Sequence, residues 1–272
     1  MKIHCMFLII ALPLLFSCGL GVTTFPLEQL DIFILQTKKD ADCIILQYGD
    51  KTIIIDTGEE INGPRLVSFL HERNVDTITC LFLTYPDADH IGSARLLIEE
   101  FMIGQIVQPV YPYKQEELNA LNDLINKKKI PVMYPVKRRY ISFQNLRFVI
   151  FPPRKKRYKD INNYSLAIQA SYGNKRMLFT GDAKDVRLRE LMDIEWPNID
   201  LIKIPYHGRA VDSSAEFITK LKADYGVITA TQSDSVVRIA CANAGTRVFY
   251  SGFGDVHFIS DGLTLKPINE GF

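Results

Sequence analysis

The sequence predicts a single α/β domain of four layers, two mixed β-sheets packed face to face with helices on both outer faces (αββα). Three observations predict it. Each half of the chain opens on antiparallel hairpins and then alternates strand with helix. No Pro/Gly/Ser-rich linker divides the 272 residues, so both halves belong to one domain. Polar clusters stand where apolar strands end, and in layered α/β folds such ends converge on the rim where ligands bind.

Taken in order, the chain begins with a targeting segment. Lys2 supplies a basic start, and Met6 to Phe16 is an apolar run that suits the core of a signal peptide. It is too short to cross the ~30 Å hydrocarbon layer as a helix. It ends in Leu15-Phe-Ser-Cys18-Gly19, which resembles the bacterial lipobox and implies residues 1–17 as a lipoprotein signal and Cys18 as the lipidated mature N-terminus. An ordinary cleaved signal with an incidental cysteine is the alternative. Residues 18–30 read as a short tether and 31–272 as the domain. On the lipobox reading the protein is exported and held by its acyl chains at the cell envelope, on the periplasmic or the outer face. Cys43, Cys80 and Cys241 remain inside the domain. Being odd in number and without a CxxC pair, they read as buried small hydrophobes.

Residues 31–36 form the first strand, and 43–48 with 51–55 form a hairpin around Gly49-Asp50. A helix at 65–72, a strand at 78–84 and a helix at 91–101 follow. Next come a strand at 106–109, a helix at 115–128 and strands at 132–134 and 146–151. The second half opens on the hairpin 165–172 and 176–180 around Gly173-Asn174. It continues with helix 184–192, strand 200–204, helix 214–222, strand 225–229, helix 236–243 and strands 247–250 and 256–260. Composition is that of a folded domain, 47% hydrophobic and 23% charged. The formal charge of +1 excludes any argument from bulk charge for nucleic-acid or membrane-surface binding.

The chemistry sits in four clusters: Asp56-Thr-Gly58, Tyr85-Pro-Asp-Ala-Asp-His90, Gly181-Asp182 and Tyr206-His-Gly208. Hard carboxylate oxygens beside imidazole nitrogens suit a divalent metal such as Zn²⁺ or Mn²⁺. In the second cluster alternate residues can point to one side, so Asp87 and Asp89 could serve two neighbouring positions. Taken singly, Asp89 and Asp182 could instead be a helix cap and a turn former, and His207 a hydrogen-bonded loop residue.

The order of these stretches resembles the metallo-β-lactamase superfamily over residues 31–262, and within it the C-terminal hydrolase-like domain of the DNA-uptake protein ComEC and its free-standing relatives. The carrying residues are Ile53-Ile-Ile-Asp-Thr-Gly58, Leu83-Thr-Tyr-Pro-Asp-Ala-Asp-His-Ile-Gly92, Asn163-Tyr-Ser-Leu-Ala-Ile168, Met177-Leu-Phe-Thr-Gly-Asp182 and Leu201-Ile-Lys-Ile-Pro-Tyr-His-Gly208. The resemblance implies the αββα metallo-β-lactamase-type sandwich and one or two divalent ions. Asp89, His90 and His207 would hold one metal, with Asp182 bridging toward a second to which Asp87 contributes. Asp56, Tyr85, Asn163, Ser165 and Tyr206 would surround these ligands, and Asp89 would also carry the catalytic role. The implied reaction is attack of an activated water on a phosphodiester or other anionic substrate.

The chain departs from the family at three places. Tyr85 replaces the first metal-motif histidine, and a phenol with pKa about 10 is a poor ligand. Tyr206 replaces the first of the usual histidine pair. The segment Thr229-Ala-Thr-Gln-Ser-Asp234 lacks a histidine. A degenerate, non-catalytic envelope binding protein on the same scaffold is therefore the competing expectation. Basic runs at 127–129, 137–139 and 154–157 could track phosphates, and Tyr111, Tyr113, Tyr134 and Tyr140 could stack bases. Oligomeric state is not legible in the sequence.

Overall fold

The computed structural model describes residues 28–268; the expected signal 1–17, Cys18 and the expected tether up to residue 27 lie outside the described residues. Two sheets face each other. The first has eight strands in the order Leu265–Pro267, Val256–Ser260, Leu30–Ile34, Cys43–Tyr48, Lys51–Thr57, Cys80–Phe82, Ile106–Val107 and Val132–Met133. The second has seven: Arg247–Tyr250, Tyr225–Ile228, Leu201–Lys203, Lys175–Phe179, Ala167–Tyr172, Leu146–Phe151 and Arg139–Phe143. Both sheets are mixed. Lys51–Thr57 runs antiparallel to Cys43–Tyr48 but parallel to Cys80–Phe82, and Lys175–Phe179 stands in the same way between Ala167–Tyr172 and Leu201–Lys203.

Side-chain alternation explains why the layers stack. Along Cys43–Tyr48, Ile44 and Leu46 enter the core between the sheets with Phe82, Phe148, Ile168 and Phe179, while Cys43 and Ile45 face the other way. There they meet the apolar stripes of Gly63–His71, Ala94–Glu100 and Glu116–Lys128. Helices Asp185–Met192, Ser214–Leu221 and Ser235–Ala244 cover the outer face of the second sheet. Strands buried on both faces read as unbroken apolar runs, which is what the sequence carries here. Cys43, Cys80 and Cys241 are buried free thiols, as expected. No described helix is long and apolar enough to cross a membrane.

The structure corrects several elements. The expected strand 78–84 divides at Thr79: Thr77–Ile78 pairs with Met102–Ile103 in a small separate sheet, and Cys80–Phe82 stays central. The expected helix 91–101 begins earlier, at Ala88, and breaks after Ile91. Gly92 permits the break, since a Cβ there would lie 2.5 Å from both Ala88 O and Glu60 N. Two edge strands escape pattern reading. Arg139–Phe143 exposes Arg139, Tyr140 and Ser142, so its basic start resembles a loop; Leu265–Pro267 is short and ends in proline. Val256–Ser260 returns to the first sheet beside Leu30–Ile34.

Candidate metal centre

The parallel strands of the two sheets end at one rim, and the site is built from the turns that follow them. His90 lies on the short helix Ala88–Ile91, where Asp87 accepts a hydrogen bond from Ala88 N. Asp182 follows Gly181, whose φ of 52° and lack of Cβ let the turn press on Thr84, 2.6 Å from where a Cβ would stand. Asp56, Tyr206 and His207 hold left-handed backbone at φ 59°, 51° and 51°, which is costly for non-glycine residues.

Four of the expected ligands meet. His207 Nε2 is 3.0 Å from Asp182 Oδ1 and 3.2 Å from Asp89 Oδ2, and His90 Nε2 is 3.4 Å from Asp182 Oδ1 and 3.8 Å from Asp89 Oδ1. All four donors lie within 4.8 Å of one another. Yet His90 Nε2, His207 Nε2 and Asp182 Oδ1 are buried and make no aligned hydrogen bond, despite the short distances. Donor atoms that are close but not aimed at each other share a point between them, which is the geometry of ligands around a cation. The residues present therefore fit one divalent metal.

The surroundings orient these donors. His90 Nδ1 lies 2.9 Å from Asp56 Oδ2, so Asp56 holds the Nδ1 proton and leaves Nε2 for a ligand. Asp56 also accepts from Thr84 N at 2.7 Å and Thr84 Oγ1 at 2.5 Å. His207 Nδ1 lies 2.9 Å from Thr229 Oγ1, which donates to Asp42 Oδ1 at 2.6 Å. Asp42 is in turn 2.6 Å from Lys203 Nζ, both side chains 1% exposed, and Lys203 donates to Gly181 O at 3.0 Å. Asp42 Oδ2 has no aligned hydrogen bond, so the Lys203 contact is chiefly Coulombic. The backbone of Asp42 also ties the loops together, its N–H donating to Asp89 O and its carbonyl accepting from Gly58 N.

Charge explains the titration. Apart from the two imidazoles, Lys203 is the one cation paired with Asp42, Asp56, Asp89 and Asp182 among the described residues, so the centre calls for added positive charge. Burial opposes charging each ring, but Asp56 and Asp182 outweigh it at His90, which is raised well above its usual range. At His207 Asp182 and Asp42 raise the pKa to about 10, against burial and Lys203. Burial would raise Asp182, yet the two imidazoles hold it well below the carboxylate range. Burial lifts Asp56, against its three donors. With no cation between the donors, the protonated His207 ring stabilises the folded chain. That contribution is complete below the ordinary pKa of about 6.5 and is lost as pH rises through about 10. A metal must displace a proton from each ring, so apparent affinity is expected to rise by about tenfold per pH unit for each of them, roughly 100-fold for both, between pH 7 and 9. Calorimetry in buffers of different ionisation enthalpy checks this by counting the protons released; affinity flat across that range would contradict it.

The remaining expected residues are placed as follows. Tyr85 is fully buried and packs with Tyr158 and Tyr164; its hydroxyl reaches Asp87 Oδ2 at 3.4 Å. Burial first, then Asp87, Tyr111, Asp182 and Asp89, push its pKa up, so the phenol stays neutral. Asp87 stands outside the four-ligand group, engaged with Tyr85 and Ala88. Ser165 Oγ accepts from Asp182 N at 3.1 Å. Asn163 braces the loop instead, its Oδ1 accepting from Arg187 N, and the neighbouring Asn162 reaches the site by donating to Asp182 Oδ2 at 3.1 Å. The Tyr206 ring lies 4.1 Å from Lys184 Nζ and 5.3 Å from the Arg209 guanidinium carbon. Of the basic runs, Arg154 pairs with Asp193 and Arg138 covers Phe151. Tyr111 and Tyr113 pack edge-on against Tyr164, Tyr134 accepts from Gln108, and Tyr140 is exposed on an edge strand.

Asp42, Thr84, Asn162, Lys203 and Thr229 were not singled out in the sequence. Lys203 had a legible signal, a lysine inside the apolar run Leu201-Ile-Lys-Ile204, which must be paired if the strand is buried. Asp42 had none.

The family profile described as the metallo-beta-lactamase superfamily matches residues 37–231. The chain belongs to that superfamily. Among solved structures, the metallo-beta-lactamase fold protein YhfI from Bacillus subtilis superposes with a TM-score of 0.59 at 11% identity, covering 86% of this chain and 99% of that one. Tm1679, described as a metal-dependent hydrolase of the beta-lactamase superfamily, gives 0.52 at 11% identity over 82% and 97%. A variant of the CmlA beta-hydroxylase gives 0.52 at 12% identity over 80% and 52%. These likenesses concern the fold, which carries more than one chemistry. In sequence, the ComE operon protein 3 of Bacillus subtilis (strain 168) is 24% identical over 171 residues, 62% of this chain and 22% of that protein. The chain thus corresponds to about a fifth of that relative's length.

Proposed function

We propose that the chain is an exported metal-dependent hydrolase of phosphodiester or related anionic substrates, with a partly altered metal site, anchored at the bacterial envelope through Cys18. One observation carries the catalytic reading: the buried, unpaired His90 Nε2, His207 Nε2 and Asp182 Oδ1 converge beside the Asp89 carboxylate. Four retained donors of the right hardness would be costly to bury together without a cation. Phosphodiester substrates are favoured by the resemblance of the motifs Leu83 to Gly92 and Leu201 to Gly208 to the ComEC-like branch.

Asp89, His90, Asp182 and His207 would hold a divalent cation, which would supply Lewis acidity toward a water and a phosphoryl oxygen. The chain's own residues supply the rest. Asp56 and the Thr229–Asp42 pair orient the two imidazoles. Asp89, with 24% of its side chain exposed, is the most open of the four and is placed to accept the proton of an attacking water. Lys184 and Arg209 flank the Tyr206 ring next to His207 in the chain, each already paired with a carboxylate, Asp160 at 3.0 Å and Asp40 at 3.3 Å.

The test is direct. Protein purified without chelator is expected to carry metal and to hydrolyse bis-p-nitrophenyl phosphate and single-stranded DNA, with activity removed by chelator and by His207→Ala. Folded protein that refuses added Zn²⁺ and Mn²⁺ would instead establish the non-catalytic binding protein. For the anchor, mass spectrometry of the membrane-associated form is expected to find acylated Cys18 at the N-terminus; an intact 1–17 segment would rule it out.

A further inference from the structure

Asp182 presents its two oxygens differently. Oδ1 is buried and unpaired among His90, His207 and Asp89, whereas Oδ2 accepts a hydrogen bond from Asn162 Nδ2 at 3.1 Å. A carboxylate is acceptor-only, so the amide must offer its NH₂ end here and cannot turn its oxygen inward while that bond lasts. A second cation bridged through the other oxygen of Asp182 would compete with Asn162 for Oδ2. The other side of that position is closed by Tyr85, whose hydroxyl is 3.4 Å from Asp87 Oδ2 and whose ring is fixed against Tyr158 and Tyr164. Asp87 is itself engaged as the cap of Ala88–Ile91. Of the atoms around this neighbouring position, none is a buried polar group without a hydrogen bond, in contrast to the three at the first position.

We infer that the centre takes one divalent cation per chain, and that the Asn162 carboxamide, with the Tyr85 hydroxyl, occupies the second position that Asp182 and Asp87 would otherwise share. This rests on the proposed metal-dependent reading of the same site. Asn162 is then a positioning residue. It holds one oxygen of Asp182 so that the other faces the ligands, a role that a second cation would otherwise fill.

Metal content after equilibrium dialysis against excess Mn²⁺ or Zn²⁺ tests this apart from activity. One ion per chain is expected in the unaltered protein, and Mn²⁺-loaded protein is expected to give the electron paramagnetic resonance spectrum of isolated ions. Asn162→Asp replaces the donor by an acceptor of nearly equal size, and is expected to admit a second ion bound at least roughly tenfold more weakly than the first. Two ions or exchange-coupled Mn²⁺ in the unaltered protein would overturn the inference while leaving the hydrolase reading standing. No ion at all would overturn both. A single ion in folded Asn162→Asp would overturn the assignment of Asn162.

Discussion

Asp182→Ala is expected to strip the protein of stoichiometric metal and to lower phosphodiester hydrolysis by more than roughly 100-fold, the upper end of the loss from removing merely an outer partner of a metal ligand. Asp182 is chosen because its one carboxylate touches His90, His207 and Asn162. It is also the main charge holding both imidazoles protonated when no cation is present, together with Asp56 at His90. Removing it lets both rings titrate closer to their ordinary range, so the variant should show weaker pH dependence of any residual metal binding. The turn itself is kept by Gly181 and by the Asp182 N–H bond to Ser165, so the chain is expected to stay folded. Metal analysis with circular dichroism checks both points. A folded variant with unreduced metal would remove Asp182 from the ligand set.

Lys203→Met is expected to cost up to about 3–5 kcal/mol of stability, because it removes the charge 2.6 Å from the buried Asp42 Oδ2 and leaves only the His207 ring, 3.2 Å from Oδ1, to oppose that carboxylate. For a domain of this size that corresponds to a fall in Tm of roughly 6–20 °C. The unfolding should be followed in chelator, so that metal linkage does not enter. Lys203 is raised by Asp42 and Asp182 against burial, so its contribution is complete below its ordinary pKa of about 10.4 and is lost only above that. Asp42 is lowered by Lys203, His207 and His90 against burial, so its contribution holds above about pH 3.9 and falls away in acid. The cost should therefore be nearly constant from pH 5 to pH 9. Asp42→Asn combined with Lys203→Met removes both charges and is expected to recover part of the loss. A single-variant cost below about 1 kcal/mol would mean that water reaches the pair.

Much of the site was legible before any tertiary structure. The four clusters could be read because each ends an apolar strand, and hard ligands at such ends suit a divalent cation. Asp89, His90, Asp182 and His207 do meet. What orients them could not be read. Asp42 reaches His207 through Thr229, 187 positions along the chain, and its own neighbourhood in sequence is an ordinary polar loop. Asn162 rather than Asn163 reaches Asp182 because the short helix Ile161–Tyr164 turns adjacent side chains to different partners. The two missed strands share one cause. Edge strands such as Arg139–Phe143 bury too little to carry an apolar pattern.

The amino-acid sequence by itself determined the four layers, the single domain and the four candidate ligands that come together, because burial on both faces forces apolar runs and because metal chemistry restricts residue type. Only the tertiary structure decided which sheet each strand joins and which oxygen of Asp182 is left open. It alone also placed a buried Lys203–Asp42 pair behind the ligands. Those outcomes depend on contacts between residues far apart in the chain, and local patterning carries no record of them.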